Sequence, residues 1–152
     1  MAIRQITTDA EIDRQLEEYV EQAKYVIARR LCHIGEQVVN KMRMKHANDY
    51  TDRTGNLRSS TGYVVVMDGK IVEMSAFETV KQGADGSNQG KAFVKELASK
   101  FPTDTVLIVV AGMDYAYYVQ NKHERDVTIS GELLANELLK KQGLKTKVKR
   151  IQ

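Results

Sequence analysis

The sequence predicts an α+β fold: a long N-terminal helix packed on a small, mainly antiparallel sheet, with two shorter helices. Three observations predict it. An apolar stripe recurs at three- and four-residue steps from Ile12 to Met42, the period of one helix face. Two strand-like runs meet at Asp68-Gly69, a dipeptide suited to the tight turn of a hairpin. The segment Thr105–Ala111 reads Thr-Val-Leu-Ile-Val-Val-Ala, a continuous apolar run typical of a strand covered on both faces. With 152 residues the chain suits one core, which at this size buries roughly two-thirds of the surface of the unfolded chain. The expected organisation is a single domain over 1–143, followed by a basic tail over 144–152.

The first helix starts at Thr8, which stands three residues before Glu11, the spacing at which the two side chains can cap each other's amides. Its stripe comprises Ile12, Leu16, Tyr19, Ala23, Val26, Ile27, Leu31, Ile34, Val38 and Met42, with no proline or interior break before Asn48. A helix over 9–46 would be about 57 Å long, more than a compact domain of this size is wide. Part of the stripe should therefore project beyond its own domain. Acids gather near its start (Asp9, Glu11, Asp13, Glu17, Glu18) and bases near its end (Lys41, Arg43, Lys45), which complements the helix dipole and implies nothing about ligands.

Tyr63–Met67 and Lys70–Ala76 form the hairpin, since the primed turns that match strand twist need positive φ at both central residues. Residues 82–90 hold three glycines and no aliphatic side chain larger than alanine, which predicts a mobile loop. Phe93, Val94, Leu97 and Phe101 lie at helical spacing, and Pro102 ends that short helix. Thr105–Ala111 is expected as the central strand. The last helix is capped by Ser130 or Thr128, carries Leu133, Leu134, Leu138 and Leu139, and stops at Gly143.

Apolar residues at 42% and charged residues at 28% match an ordinary globular chain, which argues against wholesale disorder or a fibrous repeat. No stretch approaches the roughly 20 apolar residues that span a bilayer, and residues 1–20 do not resemble a secretory signal. A membrane partner is not expected, and a reducing cytoplasm is the expected site of synthesis. Cys32 is the only cysteine, so neither an internal disulfide nor a cysteine-based zinc cluster is available. The net charge of +3 conceals an asymmetry: Lys140, Lys141, Lys145, Lys147, Lys149 and Arg150 lie in a stretch without acids, leaving 17 bases against 20 acids in the body. The tail alone could meet phosphates, an acidic partner or water.

Catalytic and ligand-binding patterns are weak. Gly86-Ser87-Asn88-Gln89-Gly90-Lys91-Ala92 has three residues between its glycines and Ala92 after the lysine, whereas a phosphate-binding loop needs four and a Ser or Thr. His33, His46 and His123 are not paired at helical metal-binding spacing. Asp49, Asp52, Asp114, Glu124 and Asp126 could hold magnesium, as in a nuclease, only if the fold gathers them. No Gly-x-Ser-x-Gly elbow is present, and Cys32 lies within the long helix, where core packing suits it better than nucleophilic work. No catalytic residue, cofactor or metal site is therefore assigned.

Two other segments stand out. Thr54-Gly55-Asn56-Leu57-Arg58-Ser59-Ser60 places turn formers before a strand, with Leu57 alone among polar neighbours as an anchor into the core. Gly112-Met113-Asp114-Tyr115-Ala116-Tyr117-Tyr118-Val119 puts three of the seven tyrosines within four positions. Tyrosines bury a large ring while keeping a wet hydroxyl, which suits protein interfaces as well as core edges.

In this order, Thr54-Gly55-Asn56-Leu57-Arg58 and Tyr115-Ala116-Tyr117-Tyr118-Val119, behind a long first helix, resemble the tail-completion or minor tail component family of long-tailed bacteriophages. The resemblance spans roughly residues 10–140. Where the family often continues with Glu-x-Gly-Thr, this chain has Gln120-Asn121-Lys122-His123, and residues 78–102 look like an addition. The resemblance implies a virion protein of the head-tail junction, made in the bacterial host cytoplasm. It implies a small sheet on the long helix, repeated in a hexameric ring between portal or adaptor and tail tube. DNA would pass through that ring without sequence-specific contact. Subunit contacts would fall on Tyr115, Tyr117, Tyr118, Val119, Leu57 and Arg58 with the long helix, and the Gly83–Gly90 loop would order on docking. The alternative functions are a nucleic-acid-binding module using the basic tail and, third, a metal-dependent nuclease.

Overall fold

The computed structural model describes residues 6–44, 51–122 and 125–144. Among them run α1 (Asp9–Arg43), α2 (Asn56–Ser59), β1 (Thr61–Met67), β2 (Lys70–Met74), α3 (Ala84–Ala98), β3 (Thr105–Ala111), α4 (Ala116–Lys122) and α5 (Ile129–Lys141). This is the expected α+β class, with a long first helix and a small antiparallel sheet. The segment 145–152, most of the expected basic tail, lies outside the described residues.

Thr8 caps α1, its Oγ1 accepting the Glu11 amide at 3.3 Å, as the Thr8–Glu11 spacing predicts. The helix stops at Arg43 rather than 46, because Met44 turns to extended backbone with ψ 137. Asp68 and Gly69 have φ 49 and 76, the two positive values that a primed hairpin turn requires. Lys24 of α1 reaches down to that turn and pairs with Asp68 at 2.9 Å.

The sheet order is β2-β1-β3, with both pairings antiparallel. The central strand is therefore β1, and the expectation that Thr105–Ala111 would be central is corrected. Both faces of β3 do meet apolar groups: Leu107 and Val109 pack towards α1, while Ile108 and Val110 pack towards α3. A continuous apolar run reports cover above and below a strand, not neighbours beside it.

Three layers result. On one face, Tyr63 and Val65 of β1 pack with Ala28, Leu31, Cys32, Ile34, Val38, Val39 and Met42 of α1 and with Leu139 of α5. Gly35 lets the helix come close, since a Cβ there would lie 2.6 Å from the Tyr63 ring. On the other face, Val64 and Val66 pack with Phe77 and with Val94, Leu97 and Ala98 of α3. At the C-terminal end of α5, Gly143 has φ 67, and Leu144 donates its amide to the Leu139 carbonyl at 3.0 Å, closing the helix in a left-handed turn.

Residues 82–90 correct a second expectation. Most of this segment is the first part of α3, not a mobile loop, and Gly86, Ser87 and Gly90 are buried. A Cβ on Gly86 would collide with the Asn56 carbonyl, and one on Gly90 would lie 2.5 Å from the Ser60 carbonyl. Ser87 Oγ donates to the Phe77 carbonyl at 2.6 Å. The glycines therefore form a seam that lets α3 approach α2 and β1 closely. In a sequence, a small-residue seam and a flexible linker have the same composition.

Candidate functional site: an assembly surface

The two segments singled out in the sequence meet in space. Asp52 shapes the first: its Oδ1 accepts the Gly55 amide at 2.9 Å and its Oδ2 the Arg58 amide at 3.2 Å. Gly55 enters α2 with φ 86, a left-handed conformation that glycine adopts without steric penalty. Leu57 then points inward, only 2% exposed, and packs with Ala116 of α4 and Val127 before α5, with Val119 against the same cluster. Its carbonyl accepts the hydroxyls of Ser60 at 2.8 Å and Thr61 at 3.1 Å, which ties the anchor to the start of β1.

Ala116–Lys122 forms α4, a helix absent from the sequence reading, which saw only an apolar and tyrosine cluster. Burying Ala116 turns the flanking rings outward: Tyr115 is 41% exposed, Tyr117 61% and Tyr118 49%. Thr51, Asp52, Arg53, Thr54, Leu57, Tyr115 and Val119 line a shallow cleft of about 190 Å³ between the segments. The Tyr115 hydroxyl is held above its usual pKa, first by burial and then by the negative charge of Asp52, so it is a neutral donor near neutral pH. Beyond α4, Gln120 Oε1 accepts the Thr128 amide at 3.0 Å and the Thr128 hydroxyl at 2.6 Å, joining α4 to the start of α5.

Of the six residues assigned to a subunit contact, Tyr115, Tyr117 and Tyr118 are exposed, Val119 and Arg58 are half-buried, and Leu57 is buried. Leu57 is packed inside and fixes the helix beside which the tyrosines are displayed.

A second exposed surface is larger. Every described side chain from Ile6 to Ala23 is exposed, and Ala28 is the first buried residue of α1. The N-terminal half of the helix thus stands clear of the domain, with Ile12, Leu16, Tyr19, Val20 and Val26 uncovered and Tyr19 69% exposed. The sequence also left no sign that Ile129 and Leu133 of α5 would lie outside the core, at 40% and 67% exposure.

Among the described residues, Asp52, Asp114 and Asp126 do not form a group placed to hold a metal ion. Asp52 is committed to two amides, Asp126 Oδ1 accepts the Ser130 amide at 3.1 Å, and Asp114 is exposed. His46, Asp49, His123 and Glu124 lie outside the described residues. Among the described residues no group of three or more His, Cys, Asp or Glu side chains is placed to hold a metal ion, and no helix is long and apolar enough to cross a membrane. Cys32 is buried, and its thiol is pushed up to about 11, first by burial and then by the charge and hydrogen bond of Glu73. At neutral pH it is a protonated core side chain.

Compared with known protein families, curated proteins and solved structures, the chain matches none.

Proposed function

We propose that this chain is a non-enzymatic structural component of a bacteriophage particle. It would belong to the head-tail junction or tail-completion complex and assemble as a hexameric ring around the DNA channel. The observation that carries the reading is the half-helix of α1 standing outside its own core with its apolar stripe uncovered. Such a surface favours burial against another subunit, because apolar area is driven out of water at about 25 cal/mol per Å². The outward tyrosines of α4 add a second contact of the amphipathic kind that interfaces use. In the ring, portal or adaptor and tail-tube proteins would be the axial neighbours, and DNA would pass through without base recognition.

Light scattering over a concentration series, with and without duplex DNA, tests the reading. Discrete assemblies that form without DNA are expected. A strict monomer that gains mass only with DNA, and loses it when residues 144–152 are deleted or salt is raised, would instead identify a nucleic-acid module working through its basic tail.

A further inference from the structure

The uncovered half of α1 carries a seam of its own. Ile12, Leu16, Tyr19, Ala23 and Val26 follow at steps of four, three, four and three residues, a mean of about 3.5, the spacing that keeps apolar side chains against a helical neighbour. All five are exposed. The seam lies roughly a third of a turn around the helix from Ala28, Leu31, Gly35, Val38 and Met42, which pack into the core of their own domain. A helix laid on the seam therefore runs beside the domain and not into it.

Charge selects that helix. Residues 9–21 hold six acids and one base, whereas residues 22–35 hold Lys24, Arg29, Arg30 and His33 and no acid. Arg29, Arg30 and His33 are exposed, and neither arginine is ion-paired with a described residue. Both stretches belong to one continuous helix, so they cannot meet within a copy. A parallel pair of α1 helices in register would set acids beside acids. An antiparallel pair sets the acidic stretch of each copy along the basic stretch of the other.

We propose that the seam of α1 is covered by the same seam of a second copy, the two helices running antiparallel about a two-fold axis. Leu16 packs against Val26 of the other copy and Tyr19 against Ala23, which puts Ile12 beside the aliphatic stem of Arg30 and the Arg30 guanidinium among Asp9 and Asp13. Glu11 and Arg29 share a flank of the seam, and a two-fold antiparallel pair joins like flanks, so these two meet as well. Glu17 and Glu21 lie on the far side of the helix, and Glu21 is held by Lys24 at 3.2 Å. The contact runs over residues 12–30 of each helix, about 27 Å. This deepens the self-association in the ring reading and rests on it. An isologous contact makes a pair and goes no further, so ring closure falls to another surface, of which the exposed tyrosines beside Ala116 are one.

Two full-length variants test the charge pattern, one with Arg29→Glu and Arg30→Glu, the other with Glu11→Lys and Asp13→Lys. In sedimentation, each alone should pair at least about tenfold more weakly than the wild type, since like charges then face each other. An equal mixture should recover wild-type pairing as a heterodimer, with circular dichroism showing that both variants are folded. Variants that pair like the wild type, or a loss that mixing does not recover, overturn the proposal. A cross-link reads the register. With Cys32→Ser throughout, chains carrying Leu16→Cys mixed with chains carrying Val26→Cys should be joined between 16 and 26 by a short bismaleimide. A link between two copies of position 16 means parallel helices and overturns the pairing. Assemblies that form without the 16-to-26 link overturn the α1 pair and leave the ring reading standing, whereas a chain monomeric at every concentration overturns both.

Discussion

The Tyr63 hydroxyl donates a 2.6 Å hydrogen bond to Glu73 Oε1, joining the central strand β1 to the edge strand β2 beneath α1. Cys32 of α1 interacts with the same carboxylate, so one acid on β2 serves a strand and a helix. Residue separation in the sequence hides this trio, because Cys32, Tyr63 and Glu73 come together only once the hairpin is paired and the helix laid across it.

Replacing Tyr63 with Phe removes the donor and leaves Glu73 without that partner in a half-buried site. The expected loss is about 1–3 kcal/mol of unfolding free energy, read from urea denaturation. A loss within error would show that Glu73 is satisfied without Tyr63.

Both Cys32 and Tyr63 are raised in the folded state, Cys32 from 9.0 to about 11 and Tyr63 upward from 10.0, each chiefly by burial. A raised folded pKa means that the unfolded chain gives up its proton first as pH rises. Stability from Cys32 is therefore complete below pH 9 and falls as pH climbs from about 9 through 11, whereas that from Tyr63 begins to fall only above pH 10. For Cys32 alone the loss is on the order of 2 kcal/mol. Cys32→Ala should flatten that alkaline slope in denaturation midpoints measured between pH 8 and 11. An unchanged slope would assign the alkaline loss to other groups.

Gly86→Ala distinguishes a packed helix from a loop. In a loop the change is neutral or mildly stabilising, because it restricts the unfolded chain. Here the new methyl meets the Asn56 carbonyl, so α3 must move from α2, and a loss of about 1–3 kcal/mol is expected from thermal or urea melts.

Tyr118→Asp places a charge on an exposed ring position of α4. The variant should keep wild-type circular dichroism and melting temperature yet fail to assemble in light scattering. Assembly at wild-type concentration would remove Tyr118 from the contact.

The first half of α1 is exposed up to about residue 23 among the described residues, so its helical amides open locally at small free-energy cost. Hydrogen exchange should be fast over 9–23 and slow over 31–42 in the isolated chain. Assembly should slow the first segment, and exchange over 9–23 that stays unchanged on assembly would exclude that half of α1 from the contact.

Much of this was legible in the chain itself. Capping at Thr8, the stripe to Met42, the Asp68-Gly69 turn and the stop at Gly143 are local rules, settled by hydrogen bonds and dihedral preferences within a few residues. The overhang of α1 also followed from its length alone, since a helix longer than its domain has to project. Leu57 was legible as an anchor because a lone apolar side chain among turn formers has few places to go.

What tertiary structure alone decided are relations between segments distant in sequence. The Thr54–Arg58 turn and the Tyr115–Val119 segment, nearly sixty residues apart, share one apolar cluster through Leu57, Ala116 and Val119. Composition marked 82–90 as flexible, but docking α3 against the backbone of Asn56 and Ser60 made its glycines contact points. The apolar run of β3 announced two covered faces, while strand pairing placed β1 at the centre. The physical reason is common to all three. A sequence records how much each side chain prefers burial, whereas its neighbours are set by the single arrangement in which helices and strands bury those side chains together.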